Sequence, residues 1–250
     1  MTTEKSDQVL GLIQERCSAR IPFDPDQSIP KEDLQQILEA ARWAPTAHNI
    51  QNFELIVIDD RDVLASIGNI RMGGGSTTFI RENLPWLSMS EEELKQRKVG
   101  LLGTMFPPSW LKAGAGEENE EVEANDEEMQ EEREGRNRFQ GSLIESTATL
   151  VIMLYDPSKR APASEGDFLG IMSLGCILEN LWLQANALGV SVHIVSSLAA
   201  GPAAEEIQSL LSIPDNWQVV ITIRLGYTST PFSYLRVRRD VEDFVHFNKY

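Results

Sequence analysis

Residues 41–60 read ARWAPTAHNIQNFELIVIDD, and the order of events within them decides the fold class. A helical run ends at Pro45, which forbids continuation, and Ala44 before it is pushed out of the helical region. A polar knot of Thr46, His48, Asn49, Gln51 and Asn52 follows. Phe53–Ile58 (FELIVI) is then a compact apolar run, β-branched in part, which predicts a buried strand. A surface turn needs two or three polar residues. Five between a helix and a strand suit a turn that cradles a ligand.

Upstream, Pro30 to Arg42 predicts a helix. Pro30 suits its first turn, Glu32 and Asp33 suit its positive end, and Leu34, Ile37, Leu38 and Ala41 line one face. Ser6 to Arg16 predicts a shorter helix with Ser6 as N-cap, since Leu10, Ile13 and Cys17 fall at helical spacing. Downstream, Asp60 to Ile67 predicts a helix capped by Asp59 or Asp60. Thr147–Tyr155 (TATLVIMLY) predicts a central strand. Asp167 to Leu188 is the longest predicted helix; it is apolar nearly all round, which predicts burial on most sides, and Gly189 stops it. Ser191–Val195, Pro202–Leu211 and Gln218–Leu225 predict a strand, a helix and a strand. Tyr227 to Tyr250 mixes basic and aromatic residues without a core pattern.

Gly68 to Gly141 interrupts this order as an insertion in an otherwise single domain. It holds MGGGS at 72–76, FPPSW at 106–110 and an acidic run from Glu117 to Glu134. Phe106 and Trp110 are candidates for a lid over a flat ligand. Ala115 to Gly135 is either mobile or an exposed helix, because Glu favours helix while its charge resists collapse. The whole reads as a mixed α and β domain, without the regular βαβ alternation of a nucleotide-binding sheet.

Composition narrows the partners. The 250 residues carry a net charge of −16, but the Glu117–Glu134 run has eleven acidic residues and one basic one, so the remainder is only mildly acidic. That balance argues against nucleic acid and anionic membrane as partners, which need clustered Lys and Arg. The two cysteines give no disulfide framework, the start MTTEKSDQVL lacks the pattern of a signal peptide, and no apolar run is expected to span a membrane. A soluble, cytoplasmic protein is expected.

Four patches are candidates to carry chemistry; read singly, the basic ones also fit solvated arginines that relieve an acidic chain, and Glu165-Gly166 an ordinary loop. Arg16-Cys17-Ser18-Ala19-Arg20 places two guanidiniums and a hydroxyl at a helix exit, a donor set suited to phosphate. Arg236-Val237-Arg238-Arg239 is a second basic cluster. Glu165-Gly166 precedes the longest helix, where a glycine lets backbone approach a flat ligand and the helix start offers free N–H groups. The polar knot is the fourth. The histidines His48, His193 and His246 have no metal-ligand spacing, and His193 reads as a packed core residue.

Taken in order, these patches resemble the nitroreductase family of FMN-dependent flavoproteins. Arg16 to Arg20 resembles its Arg-x-Ser-x-Arg/Lys motif, with Arg16, Cys17, Ser18 and Arg20 at the FMN phosphate and pyrimidine edge. Pro45, Thr46, Ala47, Asn49 and Gln51 resemble its Pro-Ser-Ser-x-Asn-x-Gln turn, which reaches across a dimer interface to the flavin ring. Glu165 and Gly166 resemble the turn facing flavin N5, and Arg236 and Arg238 a C-terminal basic pair on the phosphate. Ala47 stands where the family has its second Ser, and Asn52-Phe53 where it commonly has Pro-Trp.

The resemblance implies an α+β fold with a central, mostly antiparallel sheet flanked by helices in an intertwined homodimer. It implies ping-pong hydride transfer from NADH or NADPH through FMN to a nitroaromatic, quinone or similar small acceptor, with no catalytic side chain required for the hydride step. Reductive dehalogenation, another flavin-dependent dehydrogenation and a non-catalytic flavin sensor are the alternatives.

Overall fold

The computed structural model describes residues 2–71, 85–86, 89–99, 126–162 and 164–250. In chain order the elements are α1 (Thr2–Glu15), α2 (Lys31–Arg42), β1 (Phe53–Ile58), α3 (Arg61–Gly68), α4 (Glu91–Gln96), α5 (Asp126–Glu145), β2 (Thr149–Tyr155), α6 (Phe168–Ala187), β3 (Ser191–Val195), α7 (Gly201–Leu210) and β4 (Gln218–Gly226). Single 3-10 turns lie at Ala47–Asn49, Ser196–Ala199 and Val241–Asp243. The fold is α+β.

The strands form one antiparallel sheet in the order β1-β2-β4-β3. Strand β2 is central and buried along its whole length, and its period-2 alternation feeds two cores. Val151, Met153 and Tyr155 face Ile37 and Ala41 of α2 and Leu174, Ile177, Leu181 and Ala185 of α6. Leu150, Ile152 and Leu154 face Leu64 and Ile67 of α3, Ile144 of α5 and Ile207 of α7. Helices therefore cover both faces, and each fully buried Leu, Ile or Val contributes roughly 1.5–3 kcal/mol. Asp60 caps α3, its carboxylate accepting from the Asp62 and Val63 amides at 2.9 and 3.1 Å.

Several expectations need correction. Helix α1 starts at Thr2, so Ser6 lies inside it and is not its N-cap. Strand β1 is an edge strand paired only with β2, and within it only Ile58 is buried. Helix α6 is not enclosed: Phe168, Ile171 and Met172 are 68%, 61% and 55% exposed, while Ser173, Leu174, Ile177, Leu181, Trp182 and Ala185 face inward. It is also long and apolar enough by composition to cross a membrane, against the expectation that no run reaches that length. Its inward residues and its Glu179, Asn180 and Gln184 mark it instead as the helix on which the first core is built.

The chain divides into two units, Met1–Gly73 with Asn137–Thr230, and Gly74–Arg136 with Pro231–Tyr250. In the first, α3 ends and α5 returns at two touching glycines. A Cβ on Gly141 would lie 2.5 Å from the Gly68 carbonyl oxygen, so glycine is required for that approach. In the second, Ser90 and Glu93 form a capping box on α4, and Lys98 ion-pairs with Asp240 at 2.7 Å and Asp243 at 2.6 Å. MGGGS, Phe106, Trp110 and residues 117–125 of the acidic run lie outside the described residues; from Asp126 the run is helical.

Candidate functional site

Segment 16–21 leaves α1 and runs beside β3. Ser18 forms a parallel bridge with Val192, and the Ala19 amide donates to the Val192 carbonyl at 2.8 Å. Arg16 Nε lies 3.1 Å from Glu179 Oε1, with its guanidinium 4.3 Å above the Trp182 ring. Cys17 is a half-buried free thiol.

Beneath this segment lies a polar row that the sequence reading did not assemble. Arg224 of β4 pairs across the sheet with His193 of β3 and Leu150 of β2. Its Nη1 donates to His193 Nδ1 at 2.8 Å, its Nε to Thr147 Oγ1 at 2.8 Å, and both Nη atoms reach the Ile21 carbonyl at 3.4 Å. Burial, with the charges of Arg224 and Arg20 added, holds His193 down at about 3, so it is neutral. Burial also lowers Arg224, to about 9, which leaves it charged at neutral pH. The signal for this row was the single Arg in the apolar strand QVVITIRLG.

The polar knot is a strained turn. His48, Asn49 and Gln51 all have left-handed backbones, with φ of 50°, 55° and 51°. The Gln51 amide donates to Thr46 Oγ1 at 3.2 Å, and Gln51 Nε2 donates to Asn49 Oδ1 at 3.1 Å. The turn is tied to α6, because the Ala47 amide donates to Ser173 Oγ at 3.0 Å and Ser173 Oγ donates to the Leu169 carbonyl at 2.8 Å. Asn52, buried, donates through Nδ2 to the Lys159 carbonyl at 2.7 Å, which joins the start of β1 to the turn after β2.

Glu165 and Gly166 are exposed at the start of α6, and Gly166 has φ +59 with nothing within 4 Å of where a Cβ would stand. Asp167 does not cap α6 with its side chain; its Oδ1 lies 3.0 Å from Arg160 Nε. Burial and the Asp167 carboxylate raise the Tyr155 hydroxyl. That hydroxyl fills the space beside Gly170, where a Cβ would meet it at 2.3 Å.

The structure therefore brings Pro45, Thr46, Ala47, Asn49 and Gln51 to the N-terminal half of α6, which also carries Glu165 and Gly166 at its start. Arg16, Cys17, Ser18 and Arg20 are anchored farther along, through Arg16 at Glu179 and Trp182. Six to nine residues separate these from Ser173, roughly 9–14 Å along the axis. Arg236 and Arg238 belong to the second unit, where Arg238 Nη1 donates to the Val237 carbonyl at 2.8 Å.

A family model described as the Nitroreductase family matches residues 13–100 and 108–227. No curated protein matches the chain. Among solved structures, the chain is similar to an FMN-dependent nitroreductase from Clostridium difficile R20291, at 18% identity and TM-score 0.57 over 96% of this chain and 99% of that one. It is similar to a nitroreductase with bound FMN from Desulfitobacterium hafniense DCB-2, at 20% identity and TM-score 0.56 over 96% and 98%. Nitroreductase A from Vibrio parahaemolyticus aligns at 16% identity and TM-score 0.59, over 97% of this chain and 76% of that one. At these identities the likeness is one of fold.

Proposed function

The chain belongs to the nitroreductase family, and from that premise we propose that it is an FMN-dependent oxidoreductase working as a homodimer. The observation that carries the proposal is the segment 16–21. Arg16, Ser18 and Arg20 combine guanidinium and hydroxyl donors, and the charged row beneath them holds a cation, Arg224, whose hydrogen-bond acceptors are all uncharged. That donor set fits a phosphate. The open backbone of Gly166 and the exposed polar residues Asn49 and Gln51 fit the edge of a flat heteroaromatic ring.

Bound there, FMN would supply hydride chemistry, taking two electrons from NADH or NADPH and passing them to a nitroaromatic, a quinone or a similar small acceptor. The protein's own part is to hold and orient. Arg16, Ser18 and Arg20 would hold the phosphate. Gly166 presents its amide, and the 45–51 turn presents its polar groups from the second subunit. The exposed apolar residues Phe168, Ile171 and Met172 of α6, and Val9, Leu10 and Ile13 of α1 at 56%, 53% and 43% exposure, support a second copy as their cover.

The test is the absorbance spectrum of the purified protein, before and after anaerobic NADH or NADPH, followed by turnover with p-nitrobenzoate and menadione. Oxidised-flavin bands that bleach, with turnover stimulated by either acceptor in a ping-pong pattern, are expected. A protein that is colourless and takes up no FMN would overturn the proposal.

A further inference from the structure

A guanidinium withdrawn from water normally brings a carboxylate with it. Arg224 does not. It is 0% exposed, and all five of its N–H donors go to uncharged acceptors: Thr147 Oγ1, His193 Nδ1, Ser146 Oγ at 3.2 Å, and twice the Ile21 carbonyl. The Phe23 ring lies 4.2 Å beneath its plane. Some compensation comes from α5. Ser146 Oγ and Thr147 Oγ1 each donate onward to the Leu143 carbonyl, at 3.0 and 2.9 Å, which links the cation to the negative end of that helix. A helix end is equivalent to roughly half an elementary charge, so positive charge remains. Arg20 and Arg224 both act electrostatically on the same neutral imidazole.

Stability does not explain this arrangement. Burying a charge is costly, and even well-made buried ion pairs are often matched or bettered by apolar residues of similar volume. Position does explain it. Ile21, which takes two of the five donors, directly follows Arg20, and Ala19 is bound to Val192 on the other side. The segment carrying Arg16, Ser18 and Arg20 is thus fixed from below by β3 and by the Arg224 fork.

We propose that Arg224 is a positioning and specificity residue, which fixes the course of segment 16–21 and supplies the positive field that favours a flavin bearing a phosphate monoester over the same flavin without one. The proposal rests on the FMN-binding reading above. Arg224 has no free N–H for the ligand, so its influence runs through the segment and through its charge.

The test compares wild type, Arg224→Met, Arg224→Gln and Arg224→Lys as apoproteins. FMN and riboflavin are titrated by fluorescence quenching at low and high salt, and inorganic phosphate is scored by the rise in Tm. Arg224→Met is expected to weaken FMN about ten-fold, about 1.4 kcal/mol, to leave riboflavin unchanged, to flatten the salt dependence for FMN, and to abolish stabilisation by phosphate. Arg224→Lys keeps the charge and is expected to keep the preference for FMN. If Arg224→Met does not fold, Arg224→Gln makes the same comparison while retaining hydrogen-bonding capacity. Equal weakening of FMN and riboflavin, or an unchanged ratio in Arg224→Gln, would overturn the role. If wild type binds no flavin, the flavin reading fails by itself, and loss of phosphate stabilisation in the variants still decides for or against Arg224.

Discussion

The turn at residues 46–51 concentrates backbone strain, and His48 measures it. His48 is exposed and has φ 50, ψ 23. A left-handed backbone costs an L-residue roughly 1–2 kcal/mol, while glycine adopts it freely but loses roughly 0.5–1 kcal/mol of additional chain entropy on folding. His48→Gly should therefore raise stability by about 0–1 kcal/mol. His48→Val puts a β-branched side chain where such residues are genuine outliers, and should lower it by about 1–2 kcal/mol. At roughly 2–4 °C per kcal/mol for a domain of this size, the roughly 1–3 kcal/mol between them should make the glycine variant melt roughly 2–12 °C above the valine variant. The assay is thermal and urea unfolding of flavin-free protein at one fixed concentration, because ligand and subunit binding both shift apparent stability. If the turn were extended or right-handed the order would invert, since glycine would lose its entropy and valine would lose nothing. A valine variant as stable as the glycine one would refute the reasoning. The glycine variant is also expected to bind FMN more weakly despite its higher Tm, because it loosens the turn that presents Asn49 and Gln51.

Gly170→Ala should destabilise by about 1–3 kcal/mol through overpacking against the Tyr155 hydroxyl, even though alanine is the better helix former by about 1 kcal/mol. Urea midpoints of the single variants and of the double variant with Tyr155→Phe check this, and a gain in stability from Gly170→Ala alone would contradict the packing. His193 is neutral in the fold down to about 3 but takes up a proton in the unfolded chain near 6.5, so between these values the unfolded state binds the extra proton and stability falls as pH falls. Wild type minus His193→Gln should show a slope of about 1.4 kcal/mol per pH unit across that window, read from unfolding at stepped pH, and a flat difference would mean that the imidazole is not buried and neutral. Co-expression of Arg20→Ala chains with Asn49→Ala chains should restore flavin to roughly a quarter of all sites in a statistical mixture, because each mixed dimer owns one intact combination; no restored flavin would place the segment and the turn in one subunit.

How much of this was legible in the sequence depends on whether the signal was local. Strands β2 and β4 stood out as β-branched apolar runs, and the end of α6 was set by Gly189, whose φ of +73 suits a helix stop. The face of α6 was misread because an apolar helix looks enclosed from its composition, whereas Phe168, Ile171 and Met172 are open in a single chain. The half-exposed β1 was misread for a related reason, as nothing in FELIVI marks an edge position. At the site, the motif residues were readable as motifs. Their supports were not, because Ser173 under Ala47, Glu179 and Trp182 under Arg16, and Arg224 under Ile21 are joined to them only through long-range packing.

Helix α6 also gives a geometric reason to expect the site to be shared between chains. Gly166 stands at its start, Ser173 holds the 45–51 turn about two turns later, and Glu179 and Trp182 hold Arg16 farther on. From Gly166 to Glu179 is roughly 20 Å at 1.5 Å per residue. Within one chain, the polar turn and the arginine-bearing segment are thus staggered along a common rod. In a homodimer whose two-fold axis crossed that rod at mid-length, a second α6 would run the other way, and the turn held near the start of one helix would lie toward the part of its neighbour that anchors Arg16. The residues exposed in the N-terminal half of α6, at positions 168, 171, 172 and 175, follow the i, i+3, i+4, i+7 pattern of a helix face that meets another element. One such contact would cover the open apolar stripe and complete the ligand site together, so loss of the interface and loss of the cofactor should be the same event.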